Sequence, residues 1–134
     1  MSDEAGLWLR YARENREIAQ MALDHRLYNP CLQNAQQAAE KALKAAALAK
    51  GLVPARTHSI RKLRDDLLRI AINVVLSDED CDLLDSIYLP SKYPLGSALP
   101  NFDPDEAICQ RCLALADVAL AVAGRIDGDI ADEQ

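Results

Sequence analysis

In the first part of the chain, Trp8, Tyr11, Ala12, Asn15, Ile18, Ala19 and Ala22 recur at three- and four-residue steps, the period of one helix face. The spacing predicts an amphipathic helix over about residues 3–26. Asn29-Pro30 reads as a helix cap followed by proline at the first helical position, and Gly51 stops the periodic run, so a second helix is expected over about residues 29–50. The few residues between the two fold them back as an antiparallel hairpin. A third helix is expected over about residues 59–72, burying Ile60, Leu63, Leu67 and Ile70 and keeping its charges on the other side.

Ser77 with Asp78, Glu79 and Asp80 places carboxylates where a helix dipole is positive, and so starts a fourth helix carrying Leu83, Leu84, Ile87 and Tyr88. Asp103-Pro104 repeats the cap-and-proline signal for a last helix to about Ile126, with Ile108, Cys112, Leu115, Ala119 and Val122 in register. These elements predict an all-α, up-down antiparallel bundle of four to five helices in one domain, residues 1–126, with a frayed acidic tail at 127–134. Between the last two helices, residues 89–102 hold half of the six prolines, a long connection that Tyr93 and Phe102 are expected to pack onto the bundle.

Composition supports the class. Half of the residues are hydrophobic, but only one Trp, four Tyr and one Phe are aromatic, and alanine runs such as residues 45–47 suit closely packed helices rather than sheets. The charged first twenty residues are unlike a signal peptide, and no apolar run is expected to reach the ~20 residues that span a bilayer. A reduced, cytoplasmic setting follows for Cys31, Cys81, Cys109 and Cys112. Cys109 and Cys112 read C-x-x-C, but inside a helical pattern, which favours apolar packing over a metal or redox site.

The formal charge of −6 argues against wrapping duplex DNA. It hides a segregation: from Lys41 to Arg69, eight basic residues stand against Asp65 and Asp66 alone, a net +6 island. Solvated helix faces or an anion- or partner-binding surface would both account for it.

Residues 36–45 carry polar groups spaced for one another, since Gln36 and Glu40, Gln37 and Lys41, and Glu40 and Lys44 are i, i+4 neighbours. His58 precedes the third helix, where a histidine caps, binds phosphate or acts as a general base. Lys92-Tyr93-Pro94 couples a cation to an aromatic on a backbone that proline holds extended. No glycine-rich phosphate loop, metal-spaced histidine pair or nucleophilic triad is visible, so no cofactor, metal or catalytic residue is assigned.

Taken together, the Trp8, Ala12 and Ala19 pattern, the residues 36–45 run, His58 with Ile60 and Leu63, and Tyr88 followed by Lys92-Tyr93-Pro94 resemble the HEPN (higher eukaryotes and prokaryotes nucleotide-binding) domains over nearly the whole chain. The resemblance implies a helical bundle, often dimeric and encoded beside a minimal nucleotidyltransferase. Two departures matter. Lys92 stands where the family usually has arginine and so lacks the bidentate fork, and the arginine followed four to six residues later by histidine of the ribonuclease members is missing.

The resulting expectation is a binding module that need not be an enzyme: a homodimer, partner of a nucleotidyltransferase-like protein in a toxin–antitoxin-like pair. Gln37, Lys41, Lys44, His58, Lys92 and Tyr93 would line one groove for a nucleotide, RNA or the partner's surface. The rivals are a ribonuclease toxin with an atypical site built on His58 and Lys92, and a structural dimer whose long helices meet through alanine faces.

Overall fold

The computed structural model of the chain describes residues 1–92 and 103–133, with side chains except at 89–92 and 131–133. Its order is α1 (Asp3–Asp24), α2 (Tyr28–Ala49), α3 (Ile60–Leu68), α4 (Asp78–Lys92) and α5 (Glu106–Glu133). The described residues form five helices and no strand, the expected all-α bundle.

α2 is the centre of the bundle and touches each of the other four helices. Its sequence explains why. Ala35, Ala38, Ala39, Ala42, Ala45 and Ala46 are all fully buried, so neighbouring backbones approach it from several sides, while Leu32 and Leu43 fill the remaining space. α1 packs on it as the antiparallel arm of the hairpin through Ala5, Leu9, Ala12, Ala19 and Ala22. Of the face expected for α1, Tyr11 and Ile18 turn out exposed and Trp8 and Asn15 half-buried. Apart from Leu9, small residues take the buried inward positions, which lets α1 approach the alanines of α2 closely.

α5 closes the other side, burying Cys109, Cys112, Leu113, Leu115, Ala116, Ala119, Val122, Ala123 and Ile126. Residues Glu106–Ile130 are, by length and hydropathy alone, apolar enough to cross a membrane, contrary to the sequence expectation. Here many of those apolar positions are used against α1 and α2. Arg16 of α1 grips Asp117 of α5 through two nitrogens at 2.7 and 3.1 Å.

Helix boundaries differ from expectation by identifiable local chemistry. α2 starts at Tyr28, with Leu27 rather than Asn29 at the cap and no side-chain cap bond, so Pro30 falls within the first turn, where its missing N–H costs nothing. Asp105, rather than Asp103, starts α5 by accepting from the Ile108 N–H at 2.9 Å. α4 runs through Lys92, into the segment expected as a connection, and α5 runs to Glu133, past Ile126. Residues 93–102 lie outside the described residues.

α3 ends at Leu68, so Ile70 is not in its buried row but on the surface. Ala71 adopts φ 63°, and the N–H groups of Ile72 and Ala71 bond the carbonyls of Leu67 and Leu68, closing the helix as Gly51 (φ 81°) closes α2. Alanine pays an unusual steric cost there, and nothing in the α3 periodicity reveals it.

Ser77 and Asp80 form a reciprocal cap at α4: Asp80 N–H donates to Ser77 Oγ and Ser77 N–H to Asp80 Oδ2, each at 3.0 Å. Burial disfavours the Asp80 charge, but the bonds from Ser77 and Arg111 outweigh it and hold the carboxyl below its ordinary value of 3.8. Its stabilisation is therefore complete above 3.8 and lost as pH falls through the lower folded value. Asp80→Asn, which keeps an acceptor for the Ser77 N–H but loses the charge at the helix start and toward Arg111, is expected to lower unfolding free energy at pH 7 by about 0.5 kcal/mol. Urea midpoints across pH should show the two proteins converging as pH falls through the lowered folded value of Asp80.

The four cysteines are buried free thiols. Cys109 donates to the Tyr28 carbonyl at 3.5 Å and lies beside Cys31. Burial pushes the Cys81 thiol up to about 11 and those of Cys109 and Cys112 up to about 12. Since thiolate is the reactive form, the folded protein should resist a thiol-specific disulfide reagent at pH 8, and all four sulfurs should react once guanidinium unfolds it.

Candidate functional site

The segment from Gly51 to Ser59 crosses the end of α2 and is pinned by two carboxylates from different helices. The first is Glu40 in the middle of α2, only 3% exposed. Its Oε1 lies 3.0 Å from His58 Nδ1 and accepts from Gln36 Nε2 at 3.3 Å, while Oε2 accepts from Lys44 Nζ at 3.1 Å. The i, i+4 spacing read from the sequence is thus a buried polar ladder, and not a solvated face. A buried carboxylate is tolerable only when paired and hydrogen-bonded, and here each oxygen is engaged.

The second carboxylate is Asp85 of α4. It accepts from Ser59 Oγ at 3.1 Å and from the Ile60 N–H at 2.6 Å, so that α4 supplies negative charge to the start of α3. Ser59 also caps α3 itself by accepting from the Lys62 N–H. Between the two carboxylates the His58 ring stacks on Tyr88, with centroids 4.2 Å apart and planes at 17°. Its Nε2 makes no hydrogen bond among the described residues.

Two concavities adjoin along this segment. One, of about 490 Å³, is lined by Arg56, Thr57, His58, Ser59, Asp85 and Tyr88. The other, of about 380 Å³, is lined by Glu4, Trp8, Lys44, Leu48 and residues 53–56. Lys44 Nζ stands 5.7 Å from the Trp8 ring centroid, so one ammonium serves both the buried carboxylate and the aromatic. Arg56 borders both concavities and has no hydrogen bond or ion pair among the described residues.

The basic island looks different once folded. Arg61 pairs with Asp82 and Asp78, Arg64 with Asp78 and Asp65, and Lys62 and Arg69 with Asp66. Most cations of α3 are therefore met by the acidic start of α4 or by their own helix. Among the described residues, Arg56 and Lys50 remain unpaired, and Lys41 is engaged by a neutral acceptor.

Of the six residues expected to share a groove, Lys44 and His58 meet at Glu40. Gln37 donates to Gln36 Oε1 at 2.7 Å and so joins the same network one residue removed. Lys41 points elsewhere, toward α1, where it donates to Asn15 Oδ1 at 2.8 Å within an Asn15–Asn34 pair. The Lys92 side chain and Tyr93 lie outside the described residues. Sequence reasoning did not single out Arg56, Glu40 or Asp85 as site residues. The glutamate between Gln36 and Lys44 was the available signal, being the one acidic residue in the helix from Tyr28 to Ala49.

Comparison with known proteins agrees with this architecture. The family model for the HEPN domain matches residues 5–126. The chain is similar to the crystal structure of TT1696 from Thermus thermophilus, at 32% identity and a TM-score of 0.66, covering 93% of this chain and 99% of that one. It is also similar to ST0689, an archaeal HEPN homologue, at 26% identity and a TM-score of 0.63 with the same coverage. A search of curated proteins returns no match.

Glu40→Ala would leave Lys44 buried against Trp8 without its counter-charge and release His58. The variant is expected to lose about 3 kcal/mol of stability, the usual cost of breaking a buried pair from one side. Guanidinium unfolding should show Glu40→Gln losing less than Glu40→Ala, since the amide oxygen still accepts from Lys44 while its NH2 group faces His58 Nδ1 as a donor, although the counter-charge is lost.

Proposed function

Because the chain belongs to the HEPN domain family, we propose that it is a nucleotide-binding module whose ligand lies along the 53–58 segment, phosphate toward Arg56 and base toward Trp8. The observation that carries this reading is Arg56 itself. It is a cation without a partner among the described residues, set between two concavities, in a region where nearly every other arginine is already neutralised. A guanidinium presents a planar fork that matches phosphate. On one side Trp8, Val53 and Pro54 offer an apolar wall for a base, and the volume is within the range of small-molecule sites.

Under the same reading the module acts without chemistry of its own, as the nucleotide-sensing half of a toxin–antitoxin-like pair with a nucleotidyltransferase-like protein. Lys44 contributes field rather than a direct clamp, since Glu40 already holds it.

A second reading, an RNA-cleaving site, is favoured by one arrangement: a buried carboxylate engages Nδ1 of His58 and leaves Nε2 without a hydrogen bond among the described residues, on a half-exposed ring that lines the same concavity as Arg56. That is the orientation a general base needs to take a proton from a ribose hydroxyl, with Arg56 facing the charge that develops on phosphorus.

Titration calorimetry with ATP and AMP separates these readings. Arg56→Ala is expected to weaken binding tenfold or more, about the 1.5–3 kcal/mol of a charge-assisted hydrogen bond. Arg69→Ala, whose guanidinium is paired to Asp66, should bind as the unsubstituted protein does. Absence of nucleotide binding together with RNA cleavage that His58→Ala abolishes would select the second reading over the first.

A further inference from the structure

Two carboxylates line the adjoining concavities, and they differ in what they already hold. Asp85, on the wall with His58 and Tyr88, accepts from Ser59 Oγ and from the Ile60 N–H. Glu4, on the wall with Trp8, Lys44 and Pro54, is exposed, and its side chain has no hydrogen bond or ion pair among the described residues. Arg56 borders the same hollow, yet the two opposite charges form no ion pair with each other.

The start of α1 accounts for an acid here only in part. A carboxylate in a first turn is favoured by the helix dipole, and Asp3 already serves that end. What Glu4 adds is its register. Trp8 follows it by four residues, so carboxylate and indole lie one above the other on the same side of the helix. The hollow is thereby bounded by an aromatic suited to the face of a base and an acceptor suited to its edge.

A carboxylate accepts hydrogen bonds and donates none. The pairing edge of guanine carries two neighbouring donors, N1–H and the 2-amino group, which the two oxygens of one carboxylate accept side by side. Adenine and cytosine set a ring-nitrogen lone pair beside their amine, and uracil flanks its one N–H with two carbonyls. Each of these brings an acceptor against a carboxylate oxygen. The O6 of guanine lies on the far side of N1–H, an acceptor that the field of Lys44 on the same wall favours.

On the reading that a nucleotide lies along the 53–58 segment, we propose that Glu4 selects its base: the ligand is a guanine nucleotide, its phosphate on Arg56 and its N1–H and 2-amino group donating to Glu4. The opposite charges bordering the hollow also set the direction of the ligand, since phosphate is repelled by Glu4 and drawn to Arg56.

Titration calorimetry of the full chain with GMP, inosine monophosphate and AMP tests this. GMP is expected to bind about tenfold tighter than AMP, the scale of one bidentate pair. Inosine monophosphate, which keeps N1–H and lacks the 2-amino group, should fall between them. Glu4→Gln offers one acceptor and one donor, the pattern that meets adenine, so it should weaken GMP about tenfold and strengthen AMP. Asp3→Asn removes a charge from the same helix start without touching the hollow, and should leave the order of the three nucleotides as it is. A Glu4 that served only the helix would shift all three alike. Equal binding of the three, still lost on Arg56→Ala, overturns the choice of guanine and leaves the nucleotide module standing. So does a guanine preference that Glu4→Gln leaves intact. Failure of the unsubstituted protein to bind any of the three overturns both.

Discussion

A carboxylate placed at the centre of the central helix sets the terms for much of this structure. Glu40 cannot be buried alone, and each group that meets its need is thereby fixed: Gln36 one turn before it, Lys44 one turn after it, and His58 from a segment that otherwise has no secondary structure. Through His58 the requirement extends to Tyr88 of α4, and through Ser59 and Asp85 to the first turn of α3. One ionised group thus decides where the connection after α2 lies, and with it where Arg56 stands. Burial that would be a defect elsewhere gives the 53–58 segment a single position.

The rest of the architecture rests on small side chains. The alanines of α2 let α1 and α5 come close, and leave little room for large residues at the contact. Leu9 is the one large side chain of α1 fully buried in that contact, while Leu7, Tyr11, Ile18 and Met21 lie exposed on the opposite side.

Much of the fold was legible in the sequence because the signals were local. Five periodic runs, the Ser77 and Asp80 cap and the glycine after α2 predicted the five helices, and Leu63, Leu67, Leu84 and Cys112 were assigned to the interior correctly. The errors came where two local rules competed or where the deciding partner was distant. Asn29 and Asp103 are good caps, yet Leu27 and Asp105 hold those positions, since packing sets where the first turn begins. Ala71 in a left-handed conformation ends α3 early, and alanine is not a residue expected there. In the site, the spacing of Gln36, Glu40 and Lys44 showed that they interact but not that they are buried, because burial is conferred by α3, α4 and the connection, which no period within α2 reports. The charge island failed as a guide for the same reason: its counter-charges, Asp78 and Asp82, come from the next helix.

The cap that α4 lends to α3 bears on how the elements depend on one another. Ile60 and Asp85 are 25 residues apart, so the bond between them closes only when α4 has already docked. A helix of nine residues has little persistence by itself, and α3 lacks an acidic residue in its own first turn. The α1–α2 hairpin, by contrast, is built from near neighbours and has no such dependence. The start of α3, and with it the stretch bearing Arg56 and His58, is therefore coupled to the docking of α4: loosening α4 would loosen this stretch before it disturbed the α1–α2 hairpin.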